Sequence, residues 1–210
     1  FQINRITMSK ITPPKAKKIP KELIIHDDLR VDPYYWLKNR EETEVIAYLQ
    51  LENDYYNEIT TPTKGFQEVL FHEMKGRIKE DDSSVPYKSN GFWYKTRYET
   101  GREYPLYCRH KETLDAQEEI IFNGNEMAQG HDYFKIGGIA ISPNNRLAAF
   151  GIDTVSRRQY VLRIKNLETQ EVFEEAIENT TGGAVWANDN KTLFYTKKDP
   201  VTLRSDKIYK

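Results

Sequence analysis

The spacing of apolar side chains changes once along the chain. In its first part, Val45, Tyr48, Leu49, Tyr56 and Ile59 recur near helical spacing, and Glu44, Gln50, Asn57 and Glu58 are left for solvent. Asn39 with Glu42 three positions on reads as a capping box, so the pattern predicts a helix over 39–59. Thr60-Thr61-Pro62 reads as a break, and Pro62 suits the first turn of a second helix. That helix, over 62–77, carries Phe66, Val69, Leu70 and Met74 as its stripe and is weakened near its end by Gly76. The two are expected to form an antiparallel hairpin.

From about Val85 the period falls to two. Residues 92–98 are rich in aromatic and β-forming types, 99–102 read as a turn, and 104–110 as a returning strand. A strand-turn-strand pattern over 139–150 is matched position for position over 184–195, a spacing of 45 residues. Gly137-Gly138 and Gly182-Gly183 precede the two copies. Four short strands per unit at that period predict β-propeller blades, which bury their faces only against neighbours. Residues 205–210 read as a strand entering a hairpin, so the chain reads as stopping inside a blade. A complete small antiparallel sandwich is the alternative. Because no further blade follows the second copy, Trp186, Phe194 and Tyr195 are expected to lack cover.

Composition narrows the function. The 210 residues balance 31 basic against 32 acidic side chains, a net of -1, which gives no electrostatic case for nucleic acid. There is no run of 18 apolar residues to cross a membrane, and residues 1–7 carry no apolar signal core. Residues 1–7 are read as an upstream extension and Met8 as the natural start. Residues 1–31 read as an extended, proline-punctuated lead-in. The one cysteine, Cys108, permits no internal disulfide and reads as a small buried hydrophobe, which fits a cytoplasmic setting.

Catalytic chemistry is not in evidence. None of Ser9, Ser83, Ser84, Ser89, Ser142, Ser156 and Ser205 stands in Gly-x-Ser-x-Gly, and Ser142 reads as a turn residue bonded to local backbone. His26, His72, His110 and His131 are scattered, with no zinc spacing. His131 beside Asp132 is the most suggestive, but reads as a turn residue. Glu80-Asp81-Asp82 can attract basic peptides, although a solvated, mobile connector is the simpler reading. Phe92, Trp93, Tyr94, Trp186 and Phe194 read as inter-blade core. No catalytic, cofactor-binding or metal-binding residue is assigned, and no cofactor is expected.

Several stretches resemble a known family. Asp32-Pro33-Tyr34-Tyr35-Trp36-Leu37 is similar to the opening motif of prolyl oligopeptidases. Glu73-Met74-Lys75-Gly76-Arg77-Ile78-Lys79-Glu80-Asp81-Asp82-Ser83-Ser84-Val85-Pro86 resembles the hinge of their oligopeptidase B branch. So do Arg102-Glu103-Tyr104-Pro105-Leu106-Tyr107-Cys108-Arg109, Gly130-His131-Asp132-Tyr133-Phe134 and Asp153-Thr154-Val155-Ser156-Arg157-Arg158-Gln159-Tyr160. The resemblance implies an α+β fragment: a helical extension over 32–78, a hinge over 79–86, and over 87–210 the first two to three blades of a seven-bladed antiparallel propeller. It implies a serine oligopeptidase that cuts short peptides after Lys or Arg, with the triad in an α/β-hydrolase domain that no residue here matches. The propeller would limit access, and this chain alone would be inactive. A stand-alone propeller-like binding module, or a truncated product without function, is the competing expectation.

Overall fold

The computed structural model describes residues 11–210, so the reading of residues 1–7 and Met8 lies outside the described residues. The chain divides into two compact units at Ile78/Lys79.

In the first unit, strands β1 (Lys21–Ile25) and β2 (Asp28–Asp32) form a two-stranded antiparallel hairpin. Residues 21–32 are therefore not the linker that the prolines suggested. His26 and Asp27 make the turn at φ 52 and 62, as a tight hairpin requires of its central residues. Asp32-Pro33 turns the chain as expected, with the Asp32 Oδ1 accepting from the Tyr34 amide at 2.9 Å. Trp36 then anchors the segment. Its Nε1 donates to the Lys17 carbonyl at 3.0 Å, and its ring meets Tyr48 edge-on at 6.2 Å.

Helix α1 runs over Thr43–Thr60 and α2 over Lys64–Gly76. Asn39 does not cap α1: the chain passes through a 3-10 turn at Tyr35–Lys38, and Glu42 occupies the cap without a side-chain bond. Nor is Thr60-Thr61-Pro62 a reversal. A 3-10 turn, Thr61–Thr63, joins the helices, and Thr60, Thr61, Thr63 and Lys64 all keep right-handed helical backbone. The threonine hydroxyls bond back to helix carbonyls, Thr60 to Tyr56 at 2.8 Å and Thr61 to Asn57 at 2.6 Å. The antiparallel helical hairpin does not form, because α2 buries none of its residues, Phe66, Val69 and Met74 included.

Apart from a short helix at Gly124–Met127, the second unit is antiparallel β. Strands β3 (Tyr87–Ser89), β4 (Phe92–Arg97), β5 (Leu106–Lys111) and β6 (Glu118–Asn123) make a four-stranded sheet in sequential order. Strands β7 (Lys135–Ile141), β8 (Leu147–Asp153), β9 (Tyr160–Asn166), β10 (Ile177–Trp186), β11 (Leu193–Lys198) and β12 (Ser205–Tyr209) make a six-stranded one, also sequential. The long β10 belongs to two blades. Its start pairs with β9, and past a bulge between Thr180 and Ala184 it pairs with β11. A bridge from Lys165 to Val172 supplies a short fourth strand beside β9.

Alternation along β8 explains the stacking. Ala148 and Phe150 face the four-stranded sheet, where Phe150 meets Phe122 at 4.5 Å in a core with Tyr94, Ile121 and Phe134. Ala149, between them, faces Leu162 and Leu193 in a second core, against which Trp186 and Tyr195 pack. A sheet buried on both faces by its neighbours is the arrangement of a propeller blade. The described residues thus hold two blades and three strands of a third, after one helical segment. Trp186 is not left without cover, because its Nε1 donates to the Ala140 carbonyl at 2.9 Å. Val185, Phe194 and Ile208 on the opposite face are exposed.

Candidate functional site

The hairpin turns of the three blades gather at one end of the second unit. The repeat makes them alike: Ser142 N–H donates to Leu147 O at 2.8 Å, and Ala187 N–H to Thr192 O at 2.9 Å. Asn145 and Asn190 hold the same turn position at φ 61 and 59, where asparagine is tolerated because its amide bonds locally. These turns are tied to one another. Asn145 Nδ2 donates to the Asn90 carbonyl at 2.8 Å, and the Asn144 amide to Asn190 Oδ1 at 2.8 Å. The buried Arg109 adds a third tie. It grips Glu119 with two bonds of 2.8 Å, lies 4.4 Å over the Phe92 ring, and donates to the Asn145 carbonyl at 2.9 Å.

Beside these turns, a cleft of about 310 Å³ opens between the first two blades. Its walls include Tyr87, Tyr94, Tyr107, Ile121, Ile139 and Ile141. Tyr87 and Tyr94 are stacked at 5.5 Å, and the Tyr94 hydroxyl donates to Asn145 Oδ1 at 3.1 Å. Burial pushes the Tyr107 phenol pKa up.

The other face of the first blade is charged. Cross-strand pairing sets Lys95 opposite Cys108, and His110 opposite Glu118, on one face. Glu118 accepts from Lys95 at 2.9 Å and from Arg97 at 3.0 and 2.9 Å. Burial alone would raise the Glu118 pKa, but the hydrogen bonds and charges of Lys95 and Arg97 outweigh it and hold it at about 2. His110 lies beneath, its Nδ1 2.8 Å from the Ala116 carbonyl and its Nε2 3.7 Å from Glu118. Cys108 is 1% exposed, and burial pushes its thiol up to about 11. It is a buried hydrophobe, as its strand context indicated.

The remaining candidates are not brought together. Ser142 is fully buried, donates to Asn144 Oδ1 at 2.7 Å and accepts from the Leu147 amide, the local role expected of it. The His131 amide donates to Ala128 O, and its ring stacks on Phe134 at 6.1 Å, while Asp132 faces solvent. His26 lies in the β1–β2 turn, and His72 is exposed on α2 against Phe71. The acidic stretch is solvated but bonded to the sheet: Glu80 accepts from the Gly101 amide at 3.2 Å and the Asp82 carbonyl from Tyr98 at 2.8 Å. Among the described residues no three His, Cys, Asp or Glu side chains are grouped to hold a metal, and no helix is long and apolar enough to cross a membrane. Sequence reasoning passed over Tyr87, Tyr107, Ile139 and Ile141, although their strand spacing marked which face each would take.

Comparison with known proteins gives a consistent result. Residues 13–210 match the family described as prolyl oligopeptidase, N-terminal β-propeller domain. The chain is 39% identical to dipeptidyl aminopeptidase BI of Pseudoxanthomonas mexicana over 94% of its own length and 30% of that protein's. It is 33% identical to protease 2 of Moraxella lacunata, covering 89% of this chain and 28% of the relative. Among solved structures, oligopeptidase B from Leishmania major superposes with a TM-score of 0.82 at 27% identity, over 94% of this chain and 30% of that one. Oligopeptidase B from Trypanosoma brucei, with covalently bound antipain, gives 0.81 at 29% over the same shares. The chain spans about 30% of these relatives' length.

Proposed function

The chain belongs to the prolyl oligopeptidase family through its N-terminal β-propeller domain, and from that premise we propose that it is the access-limiting propeller portion of a serine oligopeptidase that cleaves short peptides after Lys or Arg. The observation that carries the reading is the superposition on oligopeptidase B from Leishmania major over 94% of the chain. On this reading the catalytic serine, aspartate and histidine come from an α/β-hydrolase domain, the propeller screens what reaches them, and these 210 residues alone are inactive. The partners are that domain and short basic peptides, in the cytoplasm, and no cofactor takes part. We place the boundaries at 1–31 for the lead-in, which carries the β1–β2 hairpin as far as Val31, 32–78 for the extension, 79–86 for the hinge and 87–210 for the partial propeller.

A second reading has its own support. The 39% identity to a dipeptidyl aminopeptidase favours release of dipeptides from free N-termini. One assay separates the two. The full product of the gene is offered an N-terminally blocked dibasic fluorogenic peptide and an unblocked dipeptide substrate. Cleavage of the blocked peptide supports the oligopeptidase, and cleavage of only the unblocked one supports the dipeptidyl peptidase. Turnover of either by the 210-residue chain alone refutes the proposal.

A further inference from the structure

We propose that the cleft between the first two blades is a recognition site for one uncharged aromatic side chain of an extended peptide, an inference that rests on reading the chain as part of a peptidase.

Size comes first. At about 310 Å³ the cleft stands at the low end of ligand pockets, which run from about 300 to 1,000 Å³. It is about twice the roughly 150 Å³ cavity that takes up benzene. One ring with its stem and some water fits.

Wall chemistry selects the kind of side chain. Tyr87 and Tyr94 are stacked at 5.5 Å and 23°, and Tyr107 supplies a third ring. Ring pairs are favoured at centroid separations of about 4.5–7 Å. Ile121, Ile139 and Ile141 complete an apolar lining. Lys95 lies along the wall, but its ammonium is held by Glu118 at 2.9 Å on the other face of the sheet. Among the described residues no unpaired charge therefore meets an entering group, and a charged side chain would lose its water without gaining a counter-ion. Polar capacity remains at the rim, since the hydroxyls of Ser89, Thr96 and Tyr107 have no hydrogen-bond partner among the described residues.

Topology selects the backbone. The cleft is lined by β3 and β7, and each is an edge strand of its sheet. An edge strand presents main-chain donors and acceptors along one side, and extended peptides bind by adding to it while alternate side chains enter pockets. A peptide laid along either edge drops one side chain toward Tyr87 and Tyr107.

The test is nuclear magnetic resonance titration of the isotope-labelled 210-residue chain with acetyl-Gly-Gly-Phe-Gly-Gly-amide and its Ala and Lys counterparts. Expected are saturable shifts at Tyr87, Thr96, Tyr107, Ile139 and Ile141 for the Phe peptide, with binding at least about tenfold weaker for Ala and Lys. Ser89→Trp, at the exposed rim, and Ile139→Trp, in the wall, are each expected to weaken the Phe peptide by about tenfold or more. If Ile139→Trp fails to fold, Ser89→Trp decides alone. No saturable shift at millimolar peptide, equal binding of the three peptides, shifts centred elsewhere, or full binding by Ser89→Trp overturns the site. Binding here by a chain whose full gene product hydrolyses nothing keeps the site and removes the peptidase reading. Hydrolysis without binding here does the reverse.

Discussion

A Cβ built on Gly151 would stand 2.6 Å from the carbonyl oxygen of Gly182. These two residues set how closely β8 of the second blade meets β10 as it enters the third. The obstacle is backbone, so no side chain can swing aside. Gly182 itself sits at φ 86 with the Tyr160 ring against it, and glycine meets both demands. Gly151→Ala is expected to destabilise the chain by about 1–3 kcal/mol, the usual cost of overpacking. Gly183→Ala is the control, since its Cβ would meet nothing within 4 Å. Urea unfolding of both variants checks this, and equal midpoints would refute it.

Asn145 does two things that substitution can separate. It occupies φ 61, and its amide links Asn90 and Tyr94. Asn145→Gly keeps the backbone and loses two bonds, at about 1–2 kcal/mol. Asn145→Ala also pays the left-handed penalty of about 1–2 kcal/mol. Thermal melts should rank wild type above Gly and Gly above Ala. Equal melts for wild type and Gly would mean the links contribute nothing, and Ala at or above Gly would mean the backbone penalty is absent.

Acid should loosen the first blade through Glu118. Its pKa in the folded chain, about 2, lies below that of an unfolded glutamate, about 4.3. The contribution is therefore complete above about pH 4.3 and is lost as pH falls toward 2. Glu118→Gln should cost about 1–3 kcal/mol at neutral pH and flatten the stability profile between those limits. Denaturant unfolding at a series of pH values measures it. An unchanged slope in the variant would rule Glu118 out as its source.

The Cys108 thiol should be inert in the native chain. It is buried beneath Lys95 and Arg97, and burial pushes it up to about 11, so almost no thiolate exists at neutral pH. Labelling with a thiol reagent should be slow in buffer and fast in denaturant. Rapid native labelling would show that this face opens.

Val185, Phe194 and Ile208 form an exposed apolar row across β10, β11 and β12. The matching row on the second blade, Ala140, Ala149 and Ile164, is covered by Trp186, Leu193 and Tyr195. The 210-residue chain should therefore self-associate through the uncovered row. Phe194→Lys should lower its apparent mass in light scattering without changing its circular dichroism. An unaltered mass would place the association elsewhere.

Much of this was legible in the sequence because it is local or repeated. The change of period at Val85 marks the passage from helix to sheet, and the 45-residue echo of Ile139 in Ala184 marks equivalent strands. The junction at Thr61-Pro62-Thr63 misled because proline is compatible with a first helical turn as well as a break, and three threonine hydroxyls settled the matter through bonds one turn back. The cleft was invisible for a different reason. Tyr87, Tyr107 and Ile139 meet only when two sheets stack, and no short-range pattern encodes that meeting. The Glu118 network stood nearer to view, since strand alternation already puts Lys95 and Arg97 on one face.

The asparagine ties between neighbouring turns act as a gauge. Sheets packed face to face stand about 10 Å apart. At the hairpin end, the gap from one blade to the next is bounded by how far a single amide reaches from its own backbone, as Asn145 does to Asn90 and Asn190 to Asn144. Two sheets held to different separations at two places cannot lie parallel. Where the amides hold two sheets closer than their cores do, the sheets splay like the leaves of a fan, and the angle of splay decides how many leaves make a full circle. A side-chain length repeated at each turn thus bears on the blade number of the whole ring, which is ordinarily credited to the packing of its cores.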